Sequence, residues 1–136
     1  MVVSAWNPQA IPEMALPPCH YGFQVTVLDG KLNLAWNQRS VDTMLGLPFN
    51  IASYGLLLHL FAKESGLGEG KLTGFLMDTH IYANHIAGAK EQLARKPGAL
   101  PKIQTDDFTS ILDWQYAQSK VTNYQPHPTI KFEIAV

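Results

Sequence analysis

The chain has 136 residues, of which 46% are hydrophobic and 15% charged, a composition that suits one globular domain over residues 1–136. Its formal net charge of −1 provides no basic field, which argues against general binding to DNA or another phosphate backbone. One cysteine cannot form an internal disulfide bond, and neither a signal peptide nor an uninterrupted apolar span is recognisable, so we predict a soluble cytoplasmic protein outside the membrane.

The first element is a short run of β-branched and aromatic residues at positions 2–6, which predicts a strand. A domain rarely begins in the middle of a strand, so we expect the chain to continue a longer fold. An Asn-Pro pair and an Ile-Pro pair then predict an irregular loop that leads to Cys19.

A β-hairpin is the clearest local prediction. Large apolar side chains alternate with smaller or polar ones at positions 21–27, and the alternation returns at 32–36, which is the period of half-buried strands. Asp29-Gly30 between the two runs is a typical hairpin turn. Such a hairpin brings Cys19, which precedes the first strand, close to residues 38–40, which follow the second.

A helix is predicted from Pro48 to about position 62, since proline is tolerated in the first turn of a helix. The segment is apolar on nearly every face, which is typical of a helix that is buried on several sides. The rest of the chain offers few layers to cover it, so this helix also indicates part of a larger fold.

The second half of the chain predicts shorter elements. Together with the hairpin they favour an α+β fold, in which a mixed, mostly antiparallel sheet packs against the buried helix. The expected elements are a core strand at 72–77, an amphipathic helix with its apolar positions at 82, 86, 89 and 93, and short strands around 102–105, 114–116 and 121–124.

Cys19 is the one thiol of the chain. A lone cysteine is commonly a buried structural residue, and that alternative stays open at this point. Prolines before Cys19 and His20 after it indicate a loop position that suits an accessible nucleophile, whose thiolate Arg39 would favour.

Polar residues after the hairpin suggest a binding site. The guanidinium of Arg39 and the hydroxyl of Ser40 match a phosphate, although a solvated loop with an ordinary salt bridge would contain the same residues. The amide of Asn50 offers a donor and an acceptor, so it can bind a pyrimidine edge with a carbonyl next to an N–H; the alternative is a cap at the helix start. Asp42 lies between these residues in the sequence.

His80 and Tyr82 stand two residues apart at the end of a predicted strand, so they would point the same way and could bind a sugar hydroxyl. A metal site is the competing interpretation. His80 and His85 are five residues apart without a cysteine or carboxylate cluster, which does not match a zinc-binding helix, so we predict no metal. His59 and His127 are interpreted as structural.

Long motifs run through nearly the whole chain: VSAWNP at 3–8, LPPCH at 16–20, the central stretch at 35–52 and THIYANH at 79–85. Their order and spacing resemble the C-terminal half of the thymidylate synthase family. The resemblance implies a thymidylate synthase-like fold and the reductive methylation of dUMP to dTMP, with 5,10-methylenetetrahydrofolate as co-substrate. It also implies a dimer.

The resemblance implies individual roles as well. Cys19 would attack C6 of the uracil ring, Arg39 would lie next to its thiolate, and Asp42 would take part in catalysis. By the same resemblance, the phosphate would be bound by Arg39 and Ser40, and the base would be surrounded by a polar network of His20, Gln38 and Asn50. The ribose hydroxyl would be bound by His80 and Tyr82. Folate would be bound by Asp42, Leu45, Gly46 and Ala135.

Two substitutions within the motifs depart from the family pattern. Asn37 stands where the family usually has a tyrosine, and Leu76-Met77 stands where it usually has two glycines. They leave open a sister activity, a dUMP hydroxymethylase, in which water instead of hydride captures the exocyclic methylene. Asn50 argues against the cytosine-specific version, in which the family has an aspartate.

A third departure is the absence of the family's upstream region. In the family this region supplies a phosphate-binding arginine loop, an arginine pair that reaches across the dimer, and a glutamate that assists proton movements. We therefore expect little or no activity from this chain alone, and either a homodimer or pairing with a separate N-terminal half. A non-catalytic, nucleotide-binding remnant is the alternative.

Overall fold

The computed structural model describes residues 1–134 and divides the chain into two compact units, Met1–Ile81 and the part from Tyr82 onward. The two units are described separately, and the prediction of one domain over residues 1–136 stays a prediction. Within the described residues, no helix combines the length and the apolar character needed to cross a membrane.

A four-stranded sheet is the frame of the first unit. The strands β1 (Val2–Ser4), β2 (His20–Leu28) and β3 (Lys31–Gln38) pair antiparallel in that order. The strand β5 (Gly68–Leu76) pairs parallel to β3, so the sheet is mixed and mostly antiparallel, as predicted.

The predicted hairpin is confirmed. Asp29 and Gly30 connect β2 and β3 with φ values of 50° and 71°, which is the left-handed geometry that a two-residue type I′ turn requires. Leu32, Leu34 and Trp36 alternate along β3 into the hydrophobic core. The period-2 pattern of the sequence therefore identified the correct face of this strand.

The helix α1 (Gly46–Glu64) lies against β3 and β5 and begins two residues before Pro48. Tyr54, Leu58 and Ala62 on one side of α1 complete the core, at spacings of four residues. Burial on nearly every face is not observed, because Phe49 is 73% exposed and other apolar side chains of the helix are also accessible. The helix is therefore covered on the side toward the sheet and at Leu60, which is 3% exposed, and is accessible elsewhere.

The predicted amphipathic helix is shorter than the apolar spacing from position 82 to position 93 indicated. The helix α2 (Ile86–Ala94) follows a turn of 3₁₀ helix at Ala83–His85, so the apolar spacing from position 82 does not continue through one α-helix. Ala89 is buried, but Leu93 is 86% exposed. The predicted apolar face is thus only partly buried.

The C-terminal region contains one antiparallel pair, β7 (Lys102–Thr105) and β8 (Ser119–Thr122). The strand expected at 114–116 is wrong: this segment forms a loop that leads into a 3₁₀ turn. Gln115 and Gln118 cap that turn reciprocally, so local side-chain hydrogen bonds replace strand pairing. The strand expected at 121–124 begins earlier, at Ser119.

The first unit also contains a short parallel pair of strands, β4 (Val41–Asp42) and β6 (Thr79–His80). Asp42 and His80 are direct partners in this pair. Because β4 follows β3 and β6 follows β5, the pair holds together the segments that leave the ends of two neighbouring strands.

Candidate active site

The open end of the β2–β3 hairpin joins Cys19 to Arg39. The backbone N–H of Arg39 donates to the carbonyl of Cys19 at 2.8 Å, which confirms the proximity that the hairpin predicted. Cys19 is a free, partly buried thiol. The strand register shifts between His20 and Gly22, and such a bulge re-aims the side chains beside it.

The guanidinium of Arg39 has one fixed contact and one unmet donor. Its Nη2 donates to the carbonyl of Pro17 at 2.6 Å, which ties the arginine to the loop that precedes Cys19. Its Nε is buried and has no hydrogen-bond partner among the described residues. A buried donor without a partner is costly, so Arg39 keeps an unused hydrogen-bond donor at this atom.

Gln38 is the centre of a polar network and is only 2% exposed. Its Oε1 accepts the indole N–H of Trp36 at 3.1 Å. Its Nε2 donates to the carbonyl of Ser40 at 3.1 Å and to Oδ1 of Asn50 at 3.0 Å. The network joins the end of β3 to the start of α1.

His20 reaches the same part of α1 through Tyr54. His20 Nδ1 and the Tyr54 hydroxyl lie 2.9 Å apart, and the Tyr54 ring stacks on Trp36 with centroids 5.1 Å apart at 12°. Burial raises the pKa of Tyr54 above its ordinary value of 10.0. Asn50 and Tyr54 are one turn apart on α1, so both side chains project from the same face.

Asp42 organises the loop between β4 and α1. Its Oδ1 accepts the backbone N–H groups of Met44 at 3.0 Å and Leu45 at 3.2 Å. A Cβ on Gly46 would lie 3.7 Å from Asp42 Cβ and 3.8 Å from Asn50 Oδ1, so the three residues are close neighbours. The loop thus places the predicted folate residues beside the predicted base residue.

His80 is connected to this loop through the backbone. Besides its pairing with Asp42, its carbonyl accepts the N–H of Thr43 at 3.0 Å, and its Nδ1 donates to the carbonyl of Asp78 at 2.8 Å. All these predicted residues of the first unit are therefore linked by contacts or pairing. They are Cys19, His20, Gln38, Arg39, Ser40, Asp42, Leu45, Gly46, Asn50 and His80.

Two predicted residues lie outside the first unit. Tyr82 begins the second unit, two residues after β6 ends at His80, so its alignment with His80 stays a prediction. Ala135 lies outside the described residues. The roles predicted for both stay predictions.

The substituted positions lie next to the network. Met77 donates its backbone N–H to the carbonyl of Gln38 at 2.9 Å while its side chain is exposed. Leu76 packs against the core, and Asn37 is partly buried. Leu76 therefore adds its bulk to the core.

The remaining histidines have local partners. His59 on α1 pairs with Glu69 of β5, and His127 Nε2 donates to the carbonyl of Lys96 at 2.9 Å. These contacts support the structural interpretation of both residues.

Trp36 and Tyr54 are site residues that the sequence analysis did not identify. The sequence did contain a signal for Trp36, which stands two positions before Gln38 and so faces the same side of β3. Tyr54 is four positions after Asn50 on a helix, which is also a same-face spacing. Their contacts with Gln38 and His20 follow only from how β3 and α1 pack.

Comparison with known proteins assigns the family. The sequence model described as thymidylate synthase matches residues 1–136. The chain is 52% identical over 137 aligned residues to the thymidylate synthase of Listeria monocytogenes, and equally to that of Listeria innocua; each alignment covers 100% of this chain and 44% of the relative. The chain belongs to the thymidylate synthase family and spans less than half the length of these curated relatives.

Proposed function

We propose that this chain supplies the nucleophile and the nucleotide-binding part of an enzyme that methylates dUMP to dTMP, with 5,10-methylenetetrahydrofolate as co-substrate. The observation that carries this proposal is the open end of the hairpin. There the only thiol, Cys19, is hydrogen-bonded through the backbone to Arg39, and Gln38 connects the same strand end to Asn50. The two Listeria relatives add support through their names.

Cys19 is proposed as the nucleophile. Addition of its thiolate to C6 of uracil would place the electron pair of the C5–C6 bond on C5 and O4, as an enolate. C5 would then bond to the carbon of the one-carbon unit, and loss of the C5 proton with cleavage of the bond from that carbon to the folate nitrogen would leave an exocyclic methylene on C5. The folate co-substrate supplies both the one-carbon unit and a hydride. Addition of that hydride to the methylene would restore the C5–C6 double bond and release the thiolate, giving dTMP and dihydrofolate.

Arg39 and Ser40 are proposed to hold the phosphate. The support is the guanidinium of Arg39, which is partly accessible, lies next to Ser40 in the chain and keeps a donor without a partner in the described residues. The bond from Nη2 to Pro17 orients the guanidinium, so the arginine would bind without first losing side-chain entropy.

The uracil edge is assigned to Asn50, with Gln38, His20 and Tyr54 as its neighbours. Amide groups can match a carbonyl beside an N–H, and the bond from Gln38 to Asn50 at 3.0 Å restricts how Asn50 presents its two ends. His80, with Tyr82, is proposed for the ribose hydroxyl.

Asp42, Leu45 and Gly46 are proposed for folate, together with Ala135. Asp42 is partly buried and its loop is ordered by two backbone hydrogen bonds, so its carboxylate is held in place beside Asn50. A fixed carboxylate fits the N–H donors of a pterin ring.

Turnover is proposed to need the part of the relatives' length that this chain does not match, whether as a dimer or with a separate N-terminal polypeptide. Exposed apolar residues on α1, such as Phe49 and Ile51, are suited to be covered by such a partner. The chain is proposed to act in the cytoplasm. The mass of the product would distinguish methylation from hydroxymethylation.

Protection of Cys19 from alkylation tests nucleotide binding directly. The purified chain is treated with iodoacetamide, with or without dUMP, and modification of the Cys19 peptide is followed by mass spectrometry. We expect dUMP to slow alkylation and deoxyuridine, which lacks the phosphate, to protect much less. Arg39→Gln should reduce protection by dUMP toward the deoxyuridine level. Equal alkylation rates with and without dUMP would contradict the proposal.

A further inference from the structure

The indole of Trp36 is held rigidly from two sides. Tyr54 stacks on one face, with the ring planes 12° apart. Gly74 of β5, the register partner of Trp36, lies against the ring so closely that a Cβ there would be 2.6 Å from two ring atoms. Because Trp36 is 3% exposed and cannot rotate in this space, the direction of its N–H is fixed.

This N–H determines the orientation of the Gln38 amide. An indole N–H can only donate, so the atom 3.1 Å away must be the amide oxygen of Gln38. At the other end, the carbonyl of Ser40 can only accept, so it must face the NH₂ group. A flipped Gln38 would set two donors against each other at Trp36 and two acceptors against each other at Ser40.

Gln38 passes this orientation to Asn50. The second proton of the Gln38 NH₂ group is donated to Asn50 Oδ1 at 3.0 Å, which leaves the NH₂ group of Asn50 directed away from Gln38. Uracil presents a carbonyl acceptor at position 4, whereas cytosine presents an amino donor there. An Asn50 NH₂ group that cannot flip pairs with uracil and opposes cytosine.

We propose that Trp36 is a positioning residue that makes the site selective for uracil over cytosine, by fixing the amide of Gln38 and through it the amide of Asn50. This inference rests on the proposed function, since it requires that Asn50 binds the base. Trp36 itself touches no substrate in this scheme.

The test uses two variants that disturb the indole N–H in different ways. Trp36→Phe keeps an aromatic ring beside Tyr54 but removes the N–H, and Gly74→Ala keeps the N–H but displaces the ring. Phe23→Leu is the matched control, because Phe23 also packs its ring against Tyr54, at 6.1 Å, without a polar contact to Gln38. If Trp36→Phe does not fold, 3-benzothienylalanine at this position keeps the shape of the indole without its N–H.

Dissociation constants for dUMP and dCMP are measured by NMR titration of each folded protein. We expect the preference for dUMP to fall about three- to tenfold in both test variants, which is the worth of roughly one hydrogen bond, and to stay unchanged in Phe23→Leu. The side-chain amide signals of Gln38 and Asn50 should also broaden or shift in the test variants without any nucleotide.

An unchanged preference for dUMP in the folded test variants would overturn the proposal. If the wild-type chain binds neither nucleotide, the proposed function fails, and the amide signals alone then test the fixed orientation. Unchanged amide signals in Trp36→Phe would overturn that orientation independently.

Discussion

The two compact units of the chain are ordered by different interactions. In the first unit, β3 and α1 bury leucine, tryptophan and tyrosine side chains in one core. In the described part of the second unit, the buried side chains are Ala89 and His85. Burial of one large apolar side chain contributes about 1.5–3 kcal/mol, whereas a typical hydrogen bond contributes roughly 0.5–1.5 kcal/mol. The candidate site lies on the unit with the larger apolar core.

In the second unit, hydrogen bonds and a ring contact link the helical segment 83–95 to residues 128–133. His85 Nε2 donates to the carbonyl of Glu133 at 2.6 Å, and its ring meets Phe132 edge-on at 5.1 Å. Arg95 binds Glu91 and the carbonyl of Pro128 at 2.6 and 2.7 Å. Precise placement of catalytic groups needs a rigid support, and a packed apolar core provides it better than a few separate polar contacts.

The largest expected difference concerns one leucine in each unit. Leu34 is 1% exposed in the core of the first unit, and Leu93 is 86% exposed on α2. We expect Leu34→Ala to lower the free energy of unfolding by about 2–5 kcal/mol, and Leu93→Ala to change it by less than about 0.5 kcal/mol. Guanidinium unfolding followed by tryptophan fluorescence measures both. Equal decreases in the free energy of unfolding would contradict a greater contribution of apolar burial in the first unit.

A smaller effect is expected when a polar contact of the second unit is removed. His85→Ala deletes the hydrogen bond to Glu133 and the ring contact with Phe132. We therefore expect the free energy of unfolding to fall by roughly 1–3 kcal/mol and hydrogen exchange at residues 132–134 to become faster. His127→Ala, which removes an exposed bond to Lys96, serves as the control and should change exchange there little. Unchanged exchange in His85→Ala would mean that this histidine does not hold the segment.

The smallest expected effect concerns the tyrosine beneath the site. Tyr54→Phe removes the hydrogen bond to His20, so we expect the free energy of unfolding to fall by about 0.5–1.5 kcal/mol near neutral pH. Burial raises the pKa of Tyr54 above 10.0, so in the wild-type protein the unfolded state loses this proton first as pH rises. The stabilisation from Tyr54 is thus fully present below pH 10.0 and declines as pH rises from 10.0 toward the higher pKa of the folded state.

Unfolding free energies of the wild type and Tyr54→Phe, compared from about pH 8 to pH 11, test this sign. We expect the difference in unfolding free energy between the two proteins to become smaller toward about pH 11. A constant difference across this range would contradict a raised pKa of Tyr54.

The sequence predicted what depends on local pattern. The β2–β3 hairpin followed from alternation and Asp29-Gly30, and it correctly placed Cys19 beside Arg39. The contact between Trp36, Tyr54 and Gly74 could not be predicted in this way, because it forms where three elements from distant parts of the chain pack. The alignment of Tyr82 with His80 stays a prediction, since β6 ends at His80 and the two-residue period of a strand does not extend to Tyr82.

The most direct test of the central claim is mass spectrometry of the chain after incubation with 5-fluoro-dUMP and 5,10-methylenetetrahydrofolate. It should be run together with a polypeptide that matches the rest of the length of the Listeria monocytogenes relative. Fluorine at C5 cannot leave as the C5 proton does, so the bond from Cys19 to C6 would persist. We expect the combined mass of both compounds on the Cys19 peptide, and none on Cys19→Ser. No adduct, or an adduct that persists in Cys19→Ser, would contradict the proposed nucleophile and site.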